Sequence, residues 1–214
     1  MSSKEQQKTV DEFHRLYYDE AERAGTWKNT FWRGVPAHKC PLDLWVYQEI
    51  IHEVRPDFIV ETGTYQGGSA LYLASVCDVE KHGRVISIDI EPQPGLPEHD
   101  RITYLVGSST SEEVVEKVRG EVGGGSVMVV LDSDHSADHV GNELRAYSPI
   151  VAVGSYLVVE DTNLNGNPIL PGWGPGPREA VEEFLRDHDE YLVDESREKF
   201  FMTFNPGGYL KRVR

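Results

Sequence analysis

The spacing of apolar positions changes at Pro56. Upstream, apolar side chains fall at Val10, Phe13, Tyr17, Ala21 and Ala24 with charges between them, which is the spacing of one helix face, and Gly25 is placed to end that helix. Pro41 suits the first turn of a second helix that carries Leu42, Trp45, Val46, Ile50 and Val54 on one side and stops before Pro56. Between the two helices, Trp27 to Pro36 brings the aromatics Trp27, Phe31 and Trp32 into a segment without a period. They either pack this arm onto the domain or form a wall or lid of a substrate pocket.

After Pro56, short apolar runs alternate with helical segments. Phe58 to Val60, Val85 to Ile88, Ile102 to Val106, Val127 to Leu131 and Tyr156 to Val159 make five predicted strands. Helices are predicted near Gly68 to Val76, Glu112 to Arg119 and Ala137 to Tyr147, with Ser109 and Glu112 as a capping pair on the second. This alternation is what a mostly parallel sheet with crossover helices requires, so the expected fold is a doubly wound α/β domain. A long Gly- and Pro-rich loop follows from Thr162 to Pro177, then a helix from Arg178 to Arg186 and two further predicted strands, Tyr191 to Val193 and Phe200 to Phe204. No repeat or linker divides the chain.

Composition narrows the partners. The chain has 214 residues, 39% hydrophobic and 27% charged, which suffices for one full core with small additions. No apolar run reaches the ~18 to 20 residues of a membrane span, and Met1 to Gln7 lacks the apolar core of a signal peptide. Cys40 and Cys77 are too few for a disulfide framework or a four-cysteine zinc site, so a cytoplasmic protein is expected. The net charge of -15 argues against nucleic acid and leaves a metal ion or cationic ligand as the more natural partner.

Candidate chemistry collects at the predicted strand ends, where ligands of open α/β sheets bind. The first strand runs into the glycine-rich turn Glu61-Thr62-Gly63-Thr64-Tyr65-Gln66-Gly67-Gly68-Ser69, and the next ends in Asp89, a carboxylate able to accept from a ribose diol. A dinucleotide would set a pyrophosphate against Glu61, and the G-x-G-x-x-G spacing is absent. S-adenosylmethionine, with its ammonium and sulfonium, suits Glu61 better. Further along, Asp132-Ser133-Asp134-His135 and Glu160-Asp161 end neighbouring strands. Acids gathered there repel one another unless a cation neutralises them, and oxygen ligands favour Mg²⁺, Mn²⁺ or Ca²⁺. The plainer reading is that Asp134 or Ser136 caps the next helix and that Glu160-Asp161 opens a polar loop.

The segments Val60 to Ala70, Leu131 to His135, Val159 to Asn163, Pro171 to Pro177 and Phe204 to Leu210 resemble the cephalosporin hydroxylase family. That family has a class I methyltransferase fold and is similar to the macrolide and rhamnosyl sugar O-methyltransferases. The resemblance covers Asp57 to the C-terminus. It implies a Rossmann-like, seven-stranded, mostly parallel sheet with the last strand antiparallel. An N-terminal helical and aromatic extension (residues 1–56) would precede an S-adenosylmethionine-binding domain (residues 57–214).

It further implies an O-methyltransferase that acts on a hydroxyl of a small molecule and assembles as a homo-oligomer. By position, Asp132, Glu160 and Asp161 match the Mg²⁺ ligands and His135 the general base. Glu61, Gly63 and Asp89 match donor-binding positions, and Tyr65, Gly67, Ser69 and Asp132 join them as candidates for donor contact. A cation there would acidify the acceptor hydroxyl, His135 would take its proton, and alignment with the sulfonium would do much of the rest. Two other readings stay open. His135 and His139, four apart, are spaced for an Fe(II) or Zn²⁺ oxygenase or hydrolase site. Alternatively, the chain binds the donor only as a non-catalytic partner subunit.

Overall fold

The computed structural model describes residues 3–18 and 25–214. Its centre is a seven-stranded sheet in the order β5-β4-β3-β6-β7-β9-β8, with β3 Phe58–Thr62, β4 Arg84–Asp89, β5 Ile102–Val106, β6 Val127–Leu131, β7 Tyr156–Val159, β8 Tyr191–Val193 and β9 Tyr209–Arg212. All neighbours from β5 to β7 pair in parallel, and β9 alone runs against them, pairing antiparallel with β7 and β8. The class I methyltransferase arrangement expected from the resemblance is therefore present.

The apolar runs explain the centre. Every residue of β6 is buried, with Val127, Val129 and Leu131 in one hydrophobic cluster and Met128 and Val130 in another on the opposite face. Each such side chain contributes about 1.5–3 kcal/mol relative to exposure. The first face is covered by α4 Glu112–Val122, α5 Ala137–Tyr147 and α6 Pro177–Asp187. The second is covered by α2 Pro41–Val54 and α3 Gly68–Glu80. Pro41 does open α2, as its fixed φ allows. A third cluster of Tyr18, Cys40, Leu164, Ile169, Met202 and Phe204 ties the end of α1 Ser3–Tyr18 to the loops after β7 and before β9.

Four local expectations change. The first helix begins at Ser3, two turns before Val10, and ends its described part at Tyr18; Ala21 and Ala24 lie outside the described residues. The aromatic arm is not irregular: a 3₁₀ turn at Thr26–Asn29 leads into a two-stranded ribbon, β1 Phe31–Trp32 with β2 Val35–Pro36. The cap of α4 is Ser111, whose side chain accepts from the Val114 N–H, while Ser109 is turned away and pairs with His139. Phe200 to Phe204 is not a strand. Phe201 sits at φ 68, which interrupts an extended run, and Phe204 is buried in the third cluster. The last strand forms instead after Gly207 and Gly208, where a Cβ on Gly208 would lie 2.2 Å from the Val159 carbonyl oxygen.

Candidate active site

Register builds the site before any side chain does. Thr62 is paired with Leu131, and Leu131 with Val159, so the residues that follow them, Gly63, Asp132 and Glu160, leave the sheet side by side at its carboxyl edge. Backbone bonds continue the alignment one step beyond the strands, from Asp132 N to Thr62 O (3.1 Å) and from Glu160 N to Leu131 O (2.9 Å). The close approach explains Gly63: at φ 85, a Cβ there would fall 2.0 Å from the Asp132 carbonyl oxygen.

Above this edge lies a cavity of about 860 Å³. Gly63, Tyr65, Ser69 and Asp89 line the end at the glycine turn, and Asp132, His135 and Asp161 line its acidic end. Asp89 is held by the Tyr65 N–H (2.8 Å) on one oxygen and by Glu91 N–H and Gln93 Nε2 on the other. Gly67, at φ 77, is the N-cap of α3. Glu61 is fully buried beneath the floor and does not line the cavity. Its Oε2 accepts from Ser87 (2.8 Å), its Oε1 has no hydrogen-bond partner among the described residues, and burial pushes its carboxyl up to about 7 against the pull of Lys39.

At the acidic end, Asp132, His135 and Asp161 each present an atom within 4.8 Å of the others. His135 Nε2 lies 3.2 Å from Asp161 Oδ2, and the Trp173 indole donates to the His135 carbonyl, so the long loop buttresses this residue. Asp161 has φ 55, an uncommon conformation for a non-glycine residue, and its N–H donates to Asn205 Oδ1 (3.1 Å). Glu160 is separated from the cluster. It is buried, accepts from Tyr47, and pairs with Lys39 at 2.7 Å. The Lys39 ammonium also reaches Asp132 Oδ2 at 2.5 Å.

Burial and mutual repulsion hold the Asp132, Glu160 and Asp161 carboxyls above the ordinary carboxylate range, although Lys39 pulls against this. Burial alone would lower the Lys39 ammonium, yet Asp132, Glu160 and Glu61 raise it further than burial lowers it.

The remaining candidates separate cleanly. Ser136 caps α5 and Asp134 accepts from the Ser136 N–H, which bears out the plainer reading of that pair. His139 turns to Glu143 and Ser109 and lies outside the Asp132, His135 and Asp161 cluster. Within the aromatic arm, Trp27 stacks on Tyr18, meets His38 edge-on and lines the cavity with Pro36, Trp32 meets Tyr72 edge-on, and Phe31 is exposed. Lys39, Tyr47 and Asn205 went unnoticed in the sequence. Asn205 sits in a segment that carries the family resemblance, whereas nothing in the local pattern around Lys39 marks it.

The family model for rhamnosyl O-methyltransferase/CmcI matches residues 24–213. The chain belongs to this family. It is 38% identical over 211 residues to the rhamnosyl O-methyltransferase of Mycobacterium leprae, covering 95% of this chain and 90% of that one. It is 36% identical over 212 residues to the Mycobacterium bovis rhamnosyl O-methyltransferase, with 95% and 84% covered. Among solved structures, CmcI with Mg and SAM superposes with a TM-score of 0.67 at 24% identity, covering 87% of this chain and 78% of that chain. As a member of the rhamnosyl O-methyltransferase/CmcI family, the chain is an S-adenosylmethionine-dependent O-methyltransferase.

Proposed function

We propose that the chain methylates a hydroxyl of a small molecule bearing two neighbouring oxygens, a sugar or other diol, with a divalent cation at the acidic end and His135 as the base. The observation that carries this reading is the grouping of Asp132, His135 and Asp161 at one end of the cavity whose other end is the glycine turn and Asp89. The donor set fits the groups it would hold. Gly63, whose missing Cβ admits the Asp132 carbonyl, brings bare backbone to the cavity wall, and the buried Glu61 carboxyl, with one oxygen unpartnered among the described residues, lies under the donor's ammonium end. Asp132 and Asp161 offer hard oxygens, and the surplus of carboxylates suits Mg²⁺ or a similar ion. Related structures support the same reading, since CmcI has been solved with Mg and SAM and MycE with Mg, SAH and mycinamycin VI.

When bound, the cation would acidify an acceptor hydroxyl and fix it by two oxygens. The chain's own residues do the rest. Asp89 accepts from the donor's ribose, and the Tyr65 and Glu91 N–H groups hold Asp89 in place for it. Asp161 orients the His135 imidazole, and Trp173 fixes the His135 backbone. His135, whose Nε2 faces Asp161, then takes the hydroxyl proton at Nδ1 as the oxygen bonds to the methyl carbon and the methyl–sulfur bond of the sulfonium breaks, leaving S-adenosylhomocysteine. The aromatic arm restricts water at the cavity.

Glu160, a cation ligand in the reading from the resemblance, acts here on Asp132 through their shared contact with Lys39. Among the described residues no helix is long and apolar enough to cross a membrane, which fits a dissolved small-molecule acceptor.

The test is transfer of a labelled methyl group from S-adenosylmethionine to a panel of glycosides, catechols and β-lactams, with Mg²⁺, Mn²⁺ or excess EDTA. Label should appear on at least one diol-bearing acceptor only with the metal present. Full turnover in EDTA would remove the cation from the reading. Donor binding with no acceptor methylated across the panel would favour a donor-binding partner subunit instead.

A further inference from the structure

The most unusual group near the site is a lysine that the mechanism above does not use. Lys39 is 3% exposed, yet it lies against two carboxylates of the acidic end, 2.5 Å from Asp132 Oδ2 and 2.7 Å from Glu160 Oε1. Lysine is almost never fully buried without such pairing.

Its placement is fixed by backbone on both sides. The Lys39 N–H donates to Thr30 Oγ1, and the Ala37 N–H to the Thr30 carbonyl, which ties the residue to the ribbon. The Cys40 carbonyl that follows accepts from Asp43 and Leu44 N–H groups at the start of α2. The ribbon itself is pressed onto the first turn of α3, where a Cβ on Gly68 would lie 2.1 Å from the Pro36 carbonyl oxygen. The ammonium is therefore delivered to the acids by a rigid segment and not by a swinging surface side chain.

We propose that Lys39 sets the cation affinity of this site, holding Asp132 and Glu160 in place while competing with a divalent ion for Asp132. The inference rests on the cation reading given under Proposed function. Its physical basis is the charge count: Asp132, Glu160 and Asp161 stand against one fixed positive charge, which keeps the acids together without an ion and repels an ion that arrives. A neutral side chain at position 39 would leave one more uncompensated negative charge. The cation would then bind more tightly and the fold would come to depend on it. Lys39 is in this view a positioning residue that acts through Asp132.

The experiment is a calorimetric titration of Mg²⁺ and Mn²⁺ into the full chain, compared among wild type, Lys39→Met and Lys39→Arg, with thermal melts at zero and saturating metal. Lys39→Met should bind Mn²⁺ at least about tenfold more tightly than wild type, and its melting temperature should rise more on metal addition. Lys39→Arg, which keeps the charge, should stay within about threefold of wild type. Mere structural damage weakens metal binding, so tightening is the diagnostic sign. If Lys39→Met folds and binds the metal no better than wild type, the inference is wrong although the cation reading stands. If neither wild type nor Lys39→Met binds a divalent ion, the cation reading fails and takes this inference with it. Should Lys39→Met fail to fold even in metal, wild type decides: the lysine Nζ signal missing from the Lys39→Arg spectrum must shift in step with metal saturation, and a stationary signal overturns the inference.

Discussion

The two ends of the cavity are built by different means. At the glycine-turn end, the groups that matter are backbone: a glycine forced by the Asp132 carbonyl, a turn capped at Gly67, and the Tyr65 and Glu91 N–H groups that hold Asp89. At the acidic end they are charged side chains brought from far apart, Lys39 to Asp132 across 93 positions and Tyr47 to Glu160 across 113. The first end is backbone geometry and tolerates little change of shape. The second is a balance of charge, and changing one member alters what the others do.

Two substitutions press on this contrast hardest. His135→Ala removes the proposed base, and kcat should fall by about 10² to 10⁴ with donor affinity almost unchanged. A variant that kept full turnover at neutral pH would end the assignment of His135 as base. Gly63→Ala should act at the other end, through shape. The added methyl meets the Asp132 backbone at a positive φ, so a loss of roughly 2 to 5 kcal/mol in stability is expected, together with weakened donor binding. Urea denaturation and donor titration would measure both, and an unchanged denaturation midpoint would show that the turn yields more easily than its contacts suggest.

The contrast also explains what was legible in the sequence. The parallel sheet could be read because each strand is a run of apolar residues bounded by turn residues, and register then carried Gly63, Asp132 and Glu160 to one edge. Asp89 and the glycine turn could be read because each stands directly at the end of an apolar run, where ligands of open α/β sheets bind. Lys39 could not, since a lysine before a proline-opened helix looks like a solvated residue until the fold buries it on acids that follow two later strands. Phe200 to Phe204 misled for a related reason: Met202 and Phe204 serve a loop core shared with α1 while Phe200 and Phe201 are exposed, which period alone does not separate from a strand.

That loop core provides a pH test of how far the acidic end depends on distant chain. His14 of α1 is buried, stacks on Phe204, and accepts from the Asn163 amide two residues after Asp161. Burial holds its imidazole down to about 4, below the value of 6.5 expected when unfolded. As pH falls below 6.5 the unfolded chain takes up a proton that the folded chain refuses until about pH 4. Stability from this residue is therefore complete above pH 6.5 and lost between there and pH 4, by about 3 kcal/mol. His14→Gln keeps a hydrogen-bonding amide and does not titrate, so its urea midpoint should approach that of wild type as the pH is lowered from 7 to 4.5. Parallel curves would mean that His14 is not held neutral there.

The smallest effect tests whether charge, and not packing, governs the acidic end. Tyr47 touches the same carboxylate as Lys39, donating to Glu160 and accepting from Asn205 Nδ2 at 3.0 Å. Tyr47→Phe removes both bonds but leaves every charge in place. Glu160 keeps Lys39, and the cost falls on the stranded Asn205 amide, whose carbonyl end still receives the Asp161 N–H. A stability loss of about 1 to 2 kcal/mol follows from one unsatisfied buried donor. Metal affinity should stay within about threefold of wild type, because the charge around Asp132 is unchanged. A large change in metal binding in Tyr47→Phe would show that the carboxylates are held by shape, and the distinction between the two ends of the cavity would then have to be given up.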